Sequence, residues 1–158
     1  QDIANISSGS IRQQIGYVQQ APKLFNRTIY ENITYGTPNV SKNSVITLMK
    51  KLQIQGIFKN LPNGLDTIAG KNGTNLSGGQ RQSVLILRML IGNKKILILD
   101  EPTSALDSYS KKYVIHLLKY ATKNVTTIII THDDSLLKFV NRIITFKDGK
   151  IVSDVTKS

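Results

Sequence analysis

Asp100 and Glu101 form an adjacent acidic pair directly after the apolar run Ile96, Leu97, Ile98, Leu99. Open parallel sheets bind ligands beyond the carboxyl ends of their strands. Two carboxylates there can hold a hard cation and polarise a water molecule. A second candidate, His132, closes the run Ile128, Ile129, Ile130, Thr131, and histidine can exchange or share a proton near neutral pH. The third is the stretch Leu76, Ser77, Gly78, Gly79, Gln80 ahead of a long apolar segment. Serine and glycine at a helix start leave N–H groups open at the positive end of the dipole, where an anion can approach closely. On local grounds alone the same residues read as a glycine-assisted helix N-terminus capped by Ser77. Gln20, after Tyr17 and Val18, is a loop amide, and His116, between Ile115 and Leu117 in a helical stretch, reads as structural.

One piece of phosphate chemistry is missing from these residues. Only Gly70 and Gly149 are followed by lysine, and Asn72 and Ile151 then break the pattern, so the chain holds no G-x-x-x-x-G-K-[ST] loop. Zero cysteines exclude disulfides and thiolate metal sites, and two histidines make a zinc centre an unexpected outcome. The formal charge of +11 comes from lysines scattered as singles and pairs such as Lys50 and Lys51 or Lys111 and Lys112. That pattern reads as a solvated basic surface, compatible with anionic lipid headgroups nearby; specific nucleic-acid binding is not expected.

The elements that must position these groups are legible from periodicity. Residues 11–18 read as a strand leading to Gln20, stopped by Ala21 and Pro22. Val45, Leu48, Met49, Leu52 and Ile57 recur at helical spacing after Ser41, a candidate N-cap, and Leu61, Pro62, Asn63, Gly64 is a turn. Residues 77–91 predict a helix apolar on nearly all sides, hence buried, closed by Gly92 and Asn93. The strand 96–99 is of the kind covered on both faces in a parallel sheet. A helix over about 108–120 and a strand over 126–131 complete a β-α-β unit. Asp148 and Gly149 mark a hairpin turn between 142–146 and 151–152. The chain is the size of one domain, and its longest aliphatic runs fall far short of the roughly 20 residues of a membrane-spanning helix. No charged and apolar leader pattern opens it at Gln1.

Taken in order, residues 76–80, the run Leu99, Asp100, Glu101, Pro102, Thr103, Ser104, Ala105, Leu106, Asp107 and the strand-terminal His132 resemble the ATP-binding cassette (ABC) ATPases. The segments 24–33 and 61–75 are similar to those of the exporter branch. The resemblance covers essentially all 158 residues but starts after the family's N-terminal third, where its phosphate loop and adenine-stacking aromatic would lie. It implies an α/β fold, a RecA-like P-loop NTPase core with a helical signature subdomain over about 23–92. On this reading, residues 1–158 form part of a nucleotide-binding domain.

The resemblance also implies site roles. Asp100 is the Walker B residue for Mg²⁺, and Glu101 is the catalytic glutamate that orients the attacking water. His132 is the switch histidine on the γ-phosphate. Gln20 is the Q-loop glutamine, sensing Mg²⁺ and water while its loop faces a transmembrane domain. Ser77, Gly78, Gly79 and Gln80 contact the γ-phosphate of a nucleotide held by an opposite subunit in a head-to-tail dimer, and Asp107, with Gln20, is counted among the cofactor-binding residues. ATP and Mg²⁺ are the implied ligands, a membrane domain fused upstream the implied partner, and the cytoplasmic face of a membrane the implied location. Leu24, Phe25 and Ile29 are candidates for the contact with that membrane domain. Two departures stand out: Lys71 where exporters commonly carry glutamate, and His132, Asp133, Asp134 where His-Arg is usual. The first bears on cross-subunit contacts and the second on residues flanking the histidine. The competing readings are a soluble cassette ATPase acting on ribosomes or DNA, and a degenerate cassette that dimerises without hydrolysis.

Overall fold

The computed structural model describes residues 2–21, 23–104 and 106–157. Pro22 and Ala105 fall outside these, and with them one half of the expected stop after Gln20 and one position of the 99–107 run.

Ser7 opens the first α-helix, α1 (Ser8–Gln14), its hydroxyl accepting from the Ser10 N–H at 3.2 Å. The strand expected over 11–18 is therefore only β1 (Ile15–Val18). Arg12, Gln13 and Gln14 are straight-chain helix formers without period-2 alternation, and with Ser7 as a cap the local helix wins. Next come α2 (Ile29–Thr34), opened by a reciprocal capping box between Thr28 and Glu31, and α3 (Lys42–Lys51), capped by Ser41 as its sequence predicts. Val45, Met49, Leu52 and Ile54 turn inward. His116 places Nε2 2.8 Å from the Leu52 carbonyl oxygen and so holds the end of α3.

The buried helix of the sequence pattern is α4 (Gly78–Ile91), with Val84, Ile86 and Leu87 fully enclosed. Asn93, with φ of 47°, makes the left-handed residue that ends it. β2 (Ile96–Asp100), α5 (Ser108–Ala121) and β3 (Thr126–Ile130) follow. The strands pair in parallel in the order β1-β2-β3, with Val18 beside Leu99 and Asp100 beside Ile130. This register brings the three carboxyl ends to one edge. Gln20, Glu101 and His132 each lie within two residues of a strand end there.

The sheet's two faces differ. Val18, Leu97 and Leu99 are buried, and α4 packs so closely on their side that a Cβ on Gly16 would sit 2.9 Å from Met89 Sδ. On the opposite face Tyr17, Ile128 and Ile130 are each more than half exposed. The expectation that the 96–99 strand is covered on both faces thus does not hold among the described residues. A continuous apolar run shows that both faces can be buried, not that this chain supplies both covers. A short α6 (Asp134–Leu137) precedes β4 (Arg142–Lys147) and β5 (Lys150–Thr156), an antiparallel pair. Asp148 and Gly149 both have positive φ, 50° and 73°, as a two-residue hairpin turn matched to strand twist requires.

Candidate functional site

Glu101 follows β2 with φ of 46°, a left-handed conformation that a residue with a long side chain adopts only when its surroundings force it. Here they do. Its N–H donates to the Ile130 carbonyl at 2.9 Å, continuing the β2–β3 ladder by one bond, while its own carbonyl accepts from the Ser104 N–H and hydroxyl. The chain is thereby turned sharply, and the Glu101 side chain is only 14% exposed. Its Oε1 is buried and has no hydrogen-bond partner among the described residues; His132 Nε2 approaches it to 3.5 Å, too far for a good hydrogen bond. The imidazole itself is fully exposed, at 99%. An unpaired buried carboxylate oxygen carries a desolvation cost that a water molecule or ligand donor would relieve.

Asp100, the last residue of β2, accepts a 3.2 Å hydrogen bond from the Tyr17 hydroxyl on β1. Local desolvation, followed by the bond to Asp100 and its negative charge, pushes the Tyr17 phenol up, which keeps it a protonated donor. Among the described residues no three His, Cys, Asp or Glu side chains gather into a metal cage. The Asp100 carboxylate at the strand end is a single hard oxygen donor, the kind of ligand of which Mg²⁺ takes one or two from a protein while completing its shell with water and phosphate.

Residues 76–80 are not bonded to this group: among the described residues no hydrogen bond or ion pair joins them to Asp100, Glu101 or His132. Ser77 is the N-cap of α4. Its Oγ accepts from the Gln80 N–H at 3.2 Å, and Gln80 Oε1 accepts from the Ser77 N–H at 2.9 Å. Gln80 Nε2 donates to the Ile57 carbonyl, so this side chain is spent on shaping the turn. Gly79 is buried against α5. Ser77 remains exposed, with its hydroxyl proton free to donate. Arg81 braces the preceding loop through the Gly73 and Leu76 carbonyls. Asp107 caps α5, accepting from the Tyr109 and Ser110 N–H groups at 3.0 Å, and the Ser110 bonds hold its carboxyl below the usual range.

Gln20 is exposed on the bend after β1. Of the three apolar residues expected to form a contact surface, two are core: Leu24 is 4% exposed and Ile29 is fully buried. The cause is Asn32, wholly buried, whose amide binds the Phe25 N–H and the Phe25, Arg27 and Thr28 carbonyls, wrapping the chain so that its neighbours turn inward. Phe25 stays exposed, its ring 4.4 Å from that of Tyr35, with the Arg88 guanidinium beneath both.

The sequence pattern gave no weight to Asp133. Its carboxylate accepts from Thr103 Oγ1 at 2.7 Å, from Lys111 Nζ at 2.8 Å and from the Ser135 N–H at 3.0 Å. Burial alone would push this carboxyl up; the bonds from Lys111, Thr103 and Ser135 outweigh it and hold the group well below the usual carboxylate range. The available signal was an aspartate two residues before Ser135 at a helix start, a capping pattern that says nothing of Thr103.

A sequence model of the family described as "ABC transporter" matches residues 1–104. The chain is 42% identical over 151 residues to the multidrug resistance protein pgp-1 of Caenorhabditis elegans, covering 96% of this chain and 11% of that protein. It is 44% identical over 150 residues to an ATP-dependent lipid A-core flippase of Legionella pneumophila (strain Paris), covering 95% and 26%. It superposes on the structure of a bacterial Atm1-family ABC exporter with ATP bound with a TM-score of 0.84 and 35% identity, over 99% of this chain and 27% of the other. The chain therefore spans about a quarter or less of the length of these relatives.

Proposed function

The chain belongs to the ABC transporter family, and from that premise we propose that it forms part of the nucleotide-binding domain of an ABC exporter, with a helical signature subdomain over about 23–92 and the catalytic core on either side. In the intact protein this domain hydrolyses ATP to ADP and phosphate, and closure and reopening of a head-to-tail dimer of two such domains drives transport through a transmembrane domain. The domain then works at the cytoplasmic face of a membrane; among the described residues no helix is long and apolar enough to cross one. Relatives with flippase, multidrug-resistance and exporter names favour this reading over a soluble cassette on ribosomes or DNA.

The observation that carries the reading is the Glu101 and His132 pair: a buried carboxylate oxygen, unpartnered among the described residues, opposite an exposed imidazole at the carboxyl edge of a parallel sheet. Glu101 would accept a hydrogen bond from the hydrolytic water and orient its lone pair toward the γ-phosphorus. His132, open to the ligand side, would donate to a γ-phosphate oxygen. Asp100, with Gln20, would hold Mg²⁺, which when bound neutralises charge on the β- and γ-phosphate oxygens. Ser77 and Gly78 would meet the phosphate of the partner's nucleotide, with Gly79 and Gln80 shaping the turn and Asp107 facing the same junction. The 158 residues by themselves, without a lysine-bearing phosphate loop, would bind and turn over ATP negligibly.

The test is Glu101→Gln in the intact, dimerising protein. Expected is retained MgATP binding, accumulation of ATP-bound dimers, and hydrolysis slowed on the order of 10²-fold or more. Near-normal turnover removes Glu101 from the mechanism, and no turnover in the unmutated protein favours the degenerate cassette.

A further inference from the structure

The His132 ring is almost wholly exposed, and among the described residues its one ion-pair contact is with Glu101 at 3.5 Å. Among the described residues no hydrogen bond holds the ring, so its position comes from the backbone that carries it. That backbone is gripped at the next residue. Asp133 donates its N–H to Thr131 Oγ1 at 2.9 Å, closing a tight turn around His132. Its carboxylate then reaches across to Thr103, two residues past Glu101, and to Lys111 on α5. Thr103 is 5% exposed, so its hydroxyl has little access to water as an alternative partner. The loops after β2 and β3 are thereby joined through one carboxylate.

We propose that Asp133 is a positioning residue for His132, clamping the histidine loop to the Glu101 loop through Thr103 and Lys111 so that the two catalytic groups keep a fixed separation. The proposal rests on the roles given above to Glu101 and His132. The simpler role is that of a helix cap, since Oδ1 accepts from the Ser135 N–H at the start of α6. The two roles make different demands. A cap is served equally well by serine, whereas a serine hydroxyl is too short to bind Thr103 and Lys111 together.

Asp133→Ser, Thr103→Val, Thr103→Ser and the double variant Asp133→Ser/Thr103→Val are compared in the intact protein. The clamp predicts that Asp133→Ser and Thr103→Val each lower kcat on the order of 10- to 100-fold, as loss of alignment does. KM for ATP changes far less than kcat, because His132 supplies only one of the contacts that hold ATP in the ground state. The double variant is no slower than either single one, and Thr103→Ser, which keeps the hydroxyl, is close to unmutated. Full kcat in Asp133→Ser reduces Asp133 to a cap and overturns the proposal, as do multiplicative losses in the double variant. Amide hydrogen exchange without nucleotide supplies a reading independent of turnover. In Asp133→Ser, segments 101–104 and 131–136 are expected to exchange faster together; loosening of 131–136 alone overturns the clamp. If Glu101→Gln hydrolyses normally, the assignment of the catalytic groups has failed, and the exchange measurement still decides whether the two loops are joined by Asp133.

Discussion

Gly79 on α4 and Ser110 on α5 lie so close that a Cβ built on the glycine would stand 2.5 Å from the Ser110 Cβ and 3.3 Å from its Cα. The crossing of these two helices thus depends on a residue that sequence reasoning assigned to phosphate contact. Gly79→Ala should be destabilising. Alanine in a helix gains about 1 kcal/mol over glycine, but forcing the helices apart costs about 1–3 kcal/mol, and the Ser110 backbone cannot rotate out of the way. A lowered midpoint in denaturant unfolding is expected, with partial recovery in Gly79→Ala/Ser110→Gly. An unchanged midpoint would show that α5 yields freely at this point.

Ser77 and Gly78 should behave differently. They lie at the open end of α4, and the Ser77 proton is free although its oxygen is engaged by Gln80. In the intact protein Gly78→Leu should abolish ATP-driven dimerisation while nucleotide binding to one subunit is retained, if the helix end serves the partner's phosphate as proposed. Light scattering with MgATP reads the first and nucleotide titration the second. Equal loss of both would return the segment to its own subunit's site.

What the sequence made legible follows from where the physics is local. Helix α4, the strands β2 and β3 and the 148–149 turn are each written in periodicity or turn chemistry within a short window, and the structure has them where the pattern puts them. Residues 11–14 and the pair Leu24 and Ile29 were misread for the same reason as each other. Their environment is set by single polar groups, the Ser7 cap and the buried Asn32 amide, whose reach is invisible to an apolar pattern. At the site, Asp100, Glu101 and His132 converge because parallel pairing aligns strand ends, a consequence of topology that the sequence implies. Asp133 was missed because its partners Thr103 and Lys111 are distant in sequence and their hydrogen bonds have no spacing rule.

The exposed aromatic pair is where the proposed contact with a membrane domain is open to test. Phe25 and Tyr35 are 43% and 50% exposed, whereas Leu24 and Ile29 are enclosed. Cysteines placed at Phe25 or Tyr35 in the intact, otherwise cysteine-free protein should crosslink to the transmembrane domain, and cysteines at Leu24 or Ile29 should not. Crosslinks from Phe25 to soluble partners alone would displace the exporter reading in favour of a soluble cassette. Arg88→Ala, which removes the cation under both rings and the bonds to Asn32, should weaken the Phe25 crosslink without changing nucleotide affinity.

The 158-residue polypeptide offers a separate test of how the site is divided along the chain. On the proposed roles Asp100, Glu101 and His132 would position a metal and a water molecule, but holding the β- and γ-phosphates takes a cradle of N–H groups and a lysine. No stretch of these residues has the G-x-x-x-x-G-K-[ST] spacing. Calorimetry of this polypeptide with MgATP should give little heat, and hydrolysis should be indistinguishable from background. Adding a polypeptide that carries the family's phosphate loop should restore binding if the two pieces associate, with the Glu101→Gln version binding as well as the unmutated chain and hydrolysing far less. Tight Mg²⁺-dependent binding by the 158 residues alone would mean that another group in this chain, with Lys71 and Lys150 the first to mutate, takes over the role of the missing lysine.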